Sequence, residues 1–369
     1  MRRLVTLVAG LLVLASLSAT PAAASAGQSG QNCSFPVTLT DATGTEVTIE
    51  ERPERVVTTN PSAAQTMWEI GGRDQVVGLT QYADYLEGSE SRTNVSAGFG
   101  VSREKVAGTN PDLVIAPNSS AGDVQGLRDA GLTVYHLPAP TDIEDIREAT
   151  TRIGRLTGNC QGAADTNAWM TANVDAVRNV TADVDDRPDV LYPLGSGYVA
   201  ASGTFVDSVL ATAGADNAAS EYADYPQLND EVILRMDPDN LVLHEETSYL
   251  VDEEPYASTT AGQENAVATV RERDMSQPAP RSVVNAVHNV TRQLYPERYD
   301  EGVYVQRSAV EGTTPATVDD DASGGSGPGF TAVGAVVAVL PRRSSPAAAD
   351  PLQPFDTSIT RRPCPYSHR

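Results

Sequence analysis

The sequence predicts an α/β protein with two Rossmann-like lobes that are joined by a single long helix. Three observations indicate this fold class. From about residue 41, short β-branched segments alternate with helical segments, which is the order of α/β units with parallel strands. A helical pattern of unusual length then covers residues 142–183, and the alternation starts again at 189. One lobe is therefore expected on each side of a connecting helix.

The N-terminus has the features of an export signal. Arg2 and Arg3 precede an apolar run at 4–17, and small residues with A-x-A spacing follow at 22–26. The run is shorter than the roughly 20 residues that a membrane-spanning helix needs. We therefore expect residues 1–26 to act as a signal peptide and the rest of the chain to reach the cell surface.

Composition narrows the classes of partner. Aspartate and glutamate number 49 against 26 lysines and arginines, so the net charge is -23. This excess repels nucleic acid and anionic membranes, and it suits a protein that stays soluble in concentrated salt. We expect a halophilic monomer. Five N-x-S/T sequons are compatible with a surface glycoprotein: Asn32, Asn94, Asn118, Asn179 and Asn289.

The first lobe is predicted at 35–140. A helix at 61–70 begins at a proline and ends at a pair of glycines, which are the residues that commonly start and stop helices. Further helices are expected from Ser102 and near 123–130. The strands of this lobe are expected at 55–58, 75–79, 113–116 and 133–137.

The linking helix is predicted at 141–183. Apolar residues in this segment recur close to helical spacing, and Gly158 marks a bend. The absence of a sustained heptad favours a connecting rod over a coiled coil. The second lobe is predicted at 184–300, where strands and helices alternate again.

The two lobes share a repeated unit. Glu104 is followed seven residues later by a Pro-Asp pair and then by a strand, and Glu231 is followed by the same arrangement at the same spacing. In each lobe an upstream helix also ends at a glycine and an aspartate. A duplicated two-lobe plan explains both matches, whereas the alternative is that Pro-Asp pairs simply begin many strands.

The sequence lacks the motifs of the common enzyme classes. It has no G-x-S-x-G nucleophile elbow, no P-loop and no H-E-x-x-H zinc motif. The four histidines are far apart, and we expect structural roles for them. No metal site, cofactor or enzymatic activity is therefore predicted. The acidic stretch 245–254 could hold a hard cation, but we favour a solvated loop.

Aromatic residues are scarce, and most of them follow the ends of predicted strands. Ligands of open α/β sheets bind beyond the carboxyl ends of strands, so two facing lobes would form an aromatic-lined cleft around a small molecule. Core packing is the alternative for any single tyrosine. The aromatic residues selected as ligand contacts are Tyr82, Tyr85, Phe99, Tyr198 and Tyr225.

Three cysteines are too few for a disulfide scaffold. Cys33 and Cys160 are candidates for one bridge, which the oxidising cell exterior would permit. Such a bridge would tie the start of the mature chain to the middle helix. Cys364 has no visible partner.

Several segments resemble the helix-linked, class III substrate-binding proteins of ABC importers, which take up cobalamin and ferric siderophores. The likeness covers roughly 35–300 and rests on residues 41–49, 53–57, 104–114 and 277–281. In that family two lobes close modestly about a stiff helix, and one surface glutamate on each lobe docks onto arginines of the membrane permease. The resemblance implies this docking role for Glu104 and Glu231.

Within this family the chain is most similar to the cobalamin binders. Residues 81–85 and 225–227 resemble their ligand-facing aromatic segments, although tyrosines stand where tryptophan is more usual. Arg281 is the one basic residue evident at the expected cleft, and it completes the set of ligand contacts. The resemblance therefore implies capture of cobalamin and its delivery to the permease. A ferric siderophore or haem is the alternative ligand, and a surface α/β hydrolase is the alternative activity.

The C-terminus resembles a second known pattern. Residues 301–327 form an acidic Thr/Ser/Gly-rich linker, and 328–340 begins with Pro-Gly-Phe and continues as an apolar run, as in the PGF-type sorting signals of salt-loving archaea. Pro341 ends the run well short of a membrane span, so the signal is disrupted, and 341–369 is expected to be a disordered tail. The resemblance implies membrane anchoring through the C-terminus.

Overall fold

The computed structural model describes residues 33–98 and 100–310. The predicted signal peptide, sorting segment and tail lie outside the described residues, as do Phe99 and the linker beyond 310. Within the described part of the chain, no helix has the length and apolar character needed to cross a membrane.

The N-terminal lobe is built on parallel strands. Its strands are β1 (Val37–Thr40), β2 (Glu46–Ile49), β3 (Val56–Thr58), β4 (Val76–Leu79), β5 (Thr93–Asn94), β6 (Leu113–Ala116) and β7 (Val134–His136). Its helices are α1 (Pro61–Glu69), α2 (Arg103–Gly108) and α3 (Ala121–Asp129). β1 and β2 pair as an antiparallel hairpin, and the other five form a parallel sheet in the order β5-β4-β3-β6-β7. Every residue of β3 and β6 is buried, as expected for central strands with helices on both faces.

Local sequence explains the position of α1. The side chain of Asn60 accepts a hydrogen bond from the backbone N–H of Ser62, and Pro61 occupies the first turn, where its missing N–H is not needed. After the helix, Gly71 adopts a left-handed conformation with φ 79°, which glycine tolerates better than other residues. The predicted helix at 61–70 is therefore confirmed to within one residue.

The C-terminal lobe repeats the parallel plan with fewer strands. Its strands are β8 (Asp189–Leu191), β9 (Pro193–Gly195), β10 (Tyr198–Val199), β11 (Asp216–Asn217), β12 (Asn240–His244) and β13 (Val267–Val270). Its helices are α6 (Phe205–Thr212), α7 (Asp230–Met236), α8 (Thr260–Glu264), α9 (Glu272–Ser276) and α10 (Pro280–Leu294). The parallel sheet has the order β11-β8-β12-β13, and β9 pairs with β10 as a small antiparallel ribbon.

Two helices, rather than one, connect the lobes. They are α4 (Ile143–Thr157) and α5 (Cys160–Val180), and Gly158 between them has φ 73°. The left-handed residue reverses the chain, so α4 and α5 lie antiparallel: Asn167 Nδ2 in α5 donates to the Arg147 carbonyl in α4 at 3.0 Å. The prediction of a single bent helix at 141–183 is wrong in this respect, because α4 and α5 are separate helices and each contributes to the cores of both lobes.

The repeated unit in the sequence has a structural counterpart. In the N-terminal lobe the carboxylate of Asp112 accepts hydrogen bonds from the backbone N–H groups of Glu54 and Arg55, each at 2.9 Å, just before β3. In the C-terminal lobe Asp239 accepts from the N–H of Asp189 at 2.9 Å, at the start of β8. Each Pro-Asp turn therefore ties the strand that follows it to the first strand of its own sheet.

The lobes are joined at a packed junction as well as by α5. Gly162 of α5 lies so close to the end of α1 that an added Cβ would be 2.0 Å from the Ile70 carbonyl oxygen, and only glycine allows this approach. A disulfide between Cys33 and Cys160, with Cα atoms 5.7 Å apart, fixes the start of the described chain to the start of α5.

The C-terminal end of the described chain also belongs to the folded body. Trp169 Nε1 donates to the Val305 carbonyl at 2.9 Å, and the Val305 N–H donates to Asn173 Oδ1 at 2.9 Å. Residues 301–310 are therefore not the start of the linker that the composition suggested, because two buried side chains of α5 bind their backbone.

Candidate ligand-binding site

A cleft of about 850 Å³ opens between the two lobes at the carboxyl ends of their strands. Its lining residues come from three places. Residues after β4 form the N-terminal wall, residues at the end of β12 and β13 form the C-terminal wall, and Gln277 lies between α9 and α10. This is where open parallel sheets place their ligands, because the loops that leave the strands converge there. The volume lies in the range of small-molecule sites, roughly 300–1,000 Å³.

Two tyrosines form the N-terminal wall. Tyr82 is 63% exposed, so its ring is available to a ligand. Tyr85 is half-buried: its hydroxyl donates to Gln277 Oε1 at 2.7 Å and accepts from Gln65 Nε2 at 2.9 Å. Burial raises the pKa of the Tyr85 hydroxyl above its usual value of 10.0, which keeps it neutral and able to donate.

Charged side chains dominate the C-terminal wall. The Arg271 Nε donates to the buried carboxylate of Asp274 at 3.0 Å, which fixes the direction of the guanidinium. The guanidinium carbon of Arg273 lies 4.9 Å from the centre of the Tyr85 ring, a cation–π arrangement across the cleft. Four carboxylates also line the cleft, so the lining holds both signs of charge: Asp84, Glu245, Glu246 and Glu272.

His244 lies in the same wall and is only 6% exposed. Its Nδ1 has no hydrogen-bond partner, and its ring centre is 6.3 Å from that of the buried Tyr192. Burial raises the pKa of Tyr192, with smaller contributions from Glu272 and Tyr225 nearby. Neither Tyr192 nor Tyr225 is among the residues that line the cavity.

The structure brings together only some of the residues that the sequence selected. Tyr82 and Tyr85 line the cleft. Tyr198 and Tyr225 are 44% and 49% exposed and do not line the cavity, and Phe99 lies outside the described residues. Ligand contact stays a prediction for all five aromatic residues.

Arg281 is engaged elsewhere. It forms an ion pair with Glu69 of α1, a carboxylate whose side chain is 3% exposed, and it does not line the cavity. Its contact with a ligand also stays a prediction. Glu104 in α2 and Glu231 in α7 are both exposed on the surface of their lobes, as docking carboxylates would have to be.

Sequence reasoning missed most of the C-terminal wall. The sequence predicts a structural role for His244 and a solvated loop after it; Glu245 and Glu246 are indeed exposed, and all three residues also line the cleft. The sequence analysis does not single out Arg271 or Arg273, and it uses Gln277 only as part of the segment 277–281 that carries the family resemblance. The rule that points to the carboxyl ends of strands would have found residues 244–246 and 271–273, which lie at or directly after the ends of β12 and β13, but not Gln277, which follows α9. Within the described residues, no group of three or more His, Cys, Asp or Glu side chains could hold a metal ion.

Comparison with known proteins agrees with this architecture. The family model "Periplasmic binding protein" matches residues 56–273, which is more than half of the chain. The chain belongs to the periplasmic binding protein family. The match begins at β3 and ends in α9, so it contains both parallel sheets and nearly the whole cleft lining. Members of this family are the substrate-binding components of ABC transporters.

Individual relatives fall in the same family. A cobalamin-binding protein of Halobacterium salinarum is 45% identical over 280 residues, covering 70% of this chain and 76% of the relative. A vitamin B12-binding protein of Vibrio campbellii is 22% identical over 193 residues, covering 51% of this chain and 70% of the relative. Among solved structures, a periplasmic heme-binding protein from Roseiflexus sp. RS-1 aligns with TM-score 0.61 and 23% identity, covering 67% of this chain and 99% of that one. The last comparison supports the fold of two α/β lobes.

Proposed function

We propose that this periplasmic binding protein captures cobalamin at the cell surface and delivers it to the permease of an ABC importer, without converting it chemically. The observation that carries the proposal is the cleft of about 850 Å³ between the two lobes. The sequence of this chain is also 45% identical, over 280 residues, to a protein named for cobalamin binding. A large, partly apolar ligand fits a wall that presents the rings of Tyr82 and Tyr85.

The proposal is tested by titrating the mature protein with cyanocobalamin in concentrated KCl, using calorimetry. We expect saturable binding with one ligand per chain. Cyanocobalamin absorbs visible light, so retention of colour with the protein during gel filtration provides an independent readout. Absence of binding by both methods, from a sample that unfolds cooperatively, would refute cobalamin as the ligand.

A haem or ferric siderophore is the second candidate, and one feature of the cleft favours it. Arg271 and Arg273 line the cavity, although the chain as a whole has a net charge of -23. The guanidinium group of arginine binds carboxylates well, so these two residues suit a ligand that carries carboxylate groups. Competition distinguishes the candidates. If haem or a ferric siderophore displaces cyanocobalamin at lower concentration than cobalamin itself does, the second candidate replaces the first.

The surface positions of Glu104 and Glu231 support delivery to a permease. Both side chains are exposed, each in the first turn of a short helix that precedes a Pro-Asp turn, one in each lobe. Carboxylates at the rim of an interface mainly set orientation and the rate of encounter. We expect Glu104→Gln with Glu231→Gln to impair uptake in cells while leaving the affinity for cyanocobalamin unchanged. A loss of affinity would contradict the docking role.

Attachment to the membrane through the C-terminal segment is part of the proposal. Export is supported by the signal sequence and by the family, whereas the anchor rests on the resemblance of 328–340 to a sorting signal. Fractionation of cells decides this point. Release of the protein into the medium instead of retention with membranes would show that the disrupted signal does not anchor it.

A further inference from the structure

One glutamine lies at the centre of a hydrogen-bond network that reaches both the cleft and the lobe junction. Gln65 belongs to α1 in the N-terminal lobe and is 1% exposed. Its Nε2 donates to the Tyr85 hydroxyl at 2.9 Å and to Ser282 Oγ at 3.1 Å. Its Oε1 accepts from the backbone N–H of Ser282 at 3.1 Å. The amide therefore has a partner for each of its donors and for its acceptor.

The contact with Ser282 serves the first turn of α10. The first N–H groups of a helix have no acceptor within the helix, and Ala279, the residue before α10, supplies no side-chain cap. Val283 already donates to the Ala279 carbonyl, so the N–H of Ser282 is the one that Gln65 satisfies. A side chain of the N-terminal lobe thus caps a helix of the C-terminal lobe.

The other end of the network is the wall of the cleft. The Tyr85 hydroxyl donates to Gln277 Oε1, and Ser282 Oγ lies 3.4 Å from the Arg273 carbonyl oxygen. The Arg273 guanidinium in turn stacks on the Tyr85 ring. Tyr85, Arg273 and Gln277 all line the cavity, so every cleft residue in this network is connected to the same buried amide.

We propose that Gln65 is a positioning residue: it orients the ring of Tyr85 for ligand contact and couples that ring to the capped end of α10 across the lobe junction. A ligand that contacts Tyr85 therefore stabilises the junction, and a loosened junction lets the Tyr85 ring move. This inference deepens the proposed function, because it names the residue that holds Tyr85 in the wall of the cleft. It rests on the proposed function only for the identity of the ligand.

The first test uses the ligand-free mature protein. Tyr85→Phe removes only the hydroxyl, which contacts the Gln65 amide and Gln277 but not the Ser282 N–H. Hydrogen exchange measured by mass spectrometry on peptides spanning 277–284 should then be faster than in the wild type, by about fivefold or more, because Gln65 has lost one of the bonds that fix its amide. Gln65→Met, which keeps the length of the side chain, should accelerate the same amides further.

Gln75→Met is the matched control. Gln75 is a second buried glutamine of the N-terminal lobe, and its amide binds the carbonyls of Pro53 and Thr157 away from the cleft. It should lower the overall stability as Gln65→Met does but leave exchange at 277–284 unchanged relative to the rest of α10. Equal exchange at 277–284 in Tyr85→Phe and wild type, or equal acceleration in the Gln75 control, would overturn the coupling.

The second test adds cyanocobalamin as the probe. Saturating ligand should slow exchange at 277–284 in the wild type and have little effect there in Tyr85→Phe. Gln65→Met should weaken the affinity by roughly threefold to tenfold, because binding must then immobilise a tyrosine that is no longer held. Absence of binding by the wild type would refute the proposed ligand and leave the ligand-free exchange to decide the coupling. Normal affinity in Gln65→Met would overturn the positioning role.

Discussion

The buried carboxylate of Glu69 allows a sharp test of how the lobe junction is held together. Glu69 at the end of α1 contacts two guanidinium groups, one from Arg281 of α10 and one from Arg307 near the C-terminal end of the described chain. Arg307 also stacks on Trp169 of α5, with its guanidinium carbon 4.2 Å from the ring centre. The Glu69 side chain thus joins the N-terminal lobe to two later segments of the chain, and Arg307 extends the contact to α5.

The perturbation is Glu69→Gln, which keeps the shape and removes the charge. Removing one partner of a fully buried ion pair costs about 3–5 kcal/mol. Here the side chains of Arg281 and Arg307 remain 43% and 32% exposed, so water can solvate them after the loss, and we expect a smaller cost of about 1–3 kcal/mol. In a domain of this size each kcal/mol lowers the unfolding temperature by about 2–4 °C.

The assay is urea unfolding monitored by tryptophan fluorescence, in dilute and in concentrated KCl. Glu87→Gln is the matched control, because Glu87 is 92% exposed and 4.0 Å from Arg73, a surface pair from which little stability is expected. The cost of Glu69→Gln should persist in concentrated salt, since a buried carboxylate is poorly screened. A cost below about 0.5 kcal/mol, or equal to that of Glu87→Gln, would refute this account of the junction.

Three further predictions concern stability and binding. Burial lowers the pKa of His288 from 6.5 to about 4, so the unfolded chain takes up a proton at a higher pH than the folded protein does. The free energy of unfolding should therefore fall by up to about 3 kcal/mol as the pH falls from 6.5 to 4. The unfolding temperature of His288→Asn should depend less on pH over this range than that of the wild type. Reduction of the disulfide, or Cys33→Ser, should destabilise the protein by about 2–5 kcal/mol because the closed loop is long, the two cysteines having a sequence separation of 127. Unfolding curves with and without reductant measure this, and identical curves would contradict it. Tyr82→Ala should weaken cyanocobalamin binding about tenfold. Tyr249→Ala, which removes an exposed tyrosine outside the cavity, should leave the affinity unchanged. Equal affinities of the two variants in calorimetry would argue against a ligand that stacks on Tyr82.

Local sequence signals were sufficient to predict the main helices and strands of the two lobes. The helix that begins at Pro61 has its cap and its terminator written in adjacent residues, and the repeated Pro-Asp units make the same strand-tying contact in both lobes. These features depend on neighbours in sequence or on one repeated spacing, so pattern reasoning reaches them.

The helix reversal and the C-terminal wall depend on information that a single pattern does not carry. Apolar periodicity continues on both sides of Gly158, because α4 and α5 each bury a face, so periodicity alone predicts one rod. Glu245 and Arg271 are charged residues of the kind found in solvated loops. They line the cleft because they directly follow β12 and β13. The sequence assigns Arg281 to the ligand as the one basic residue evident at the expected cleft, and no local pattern reveals its partner Glu69, which lies more than 200 positions away.

The reversal at Gly158 has a mechanical consequence. The chain leaves the N-terminal lobe in α4, whose Ile146 enters the core of the C-terminal lobe, comes back at the disulfide, and crosses again in α5. Two antiparallel helices that are bonded side by side resist bending more than one helix of the same length. The cleft should therefore accommodate its ligand by slight shear between pre-shaped walls, and molecules that require a wide swing of the lobes should be rejected by shape alone.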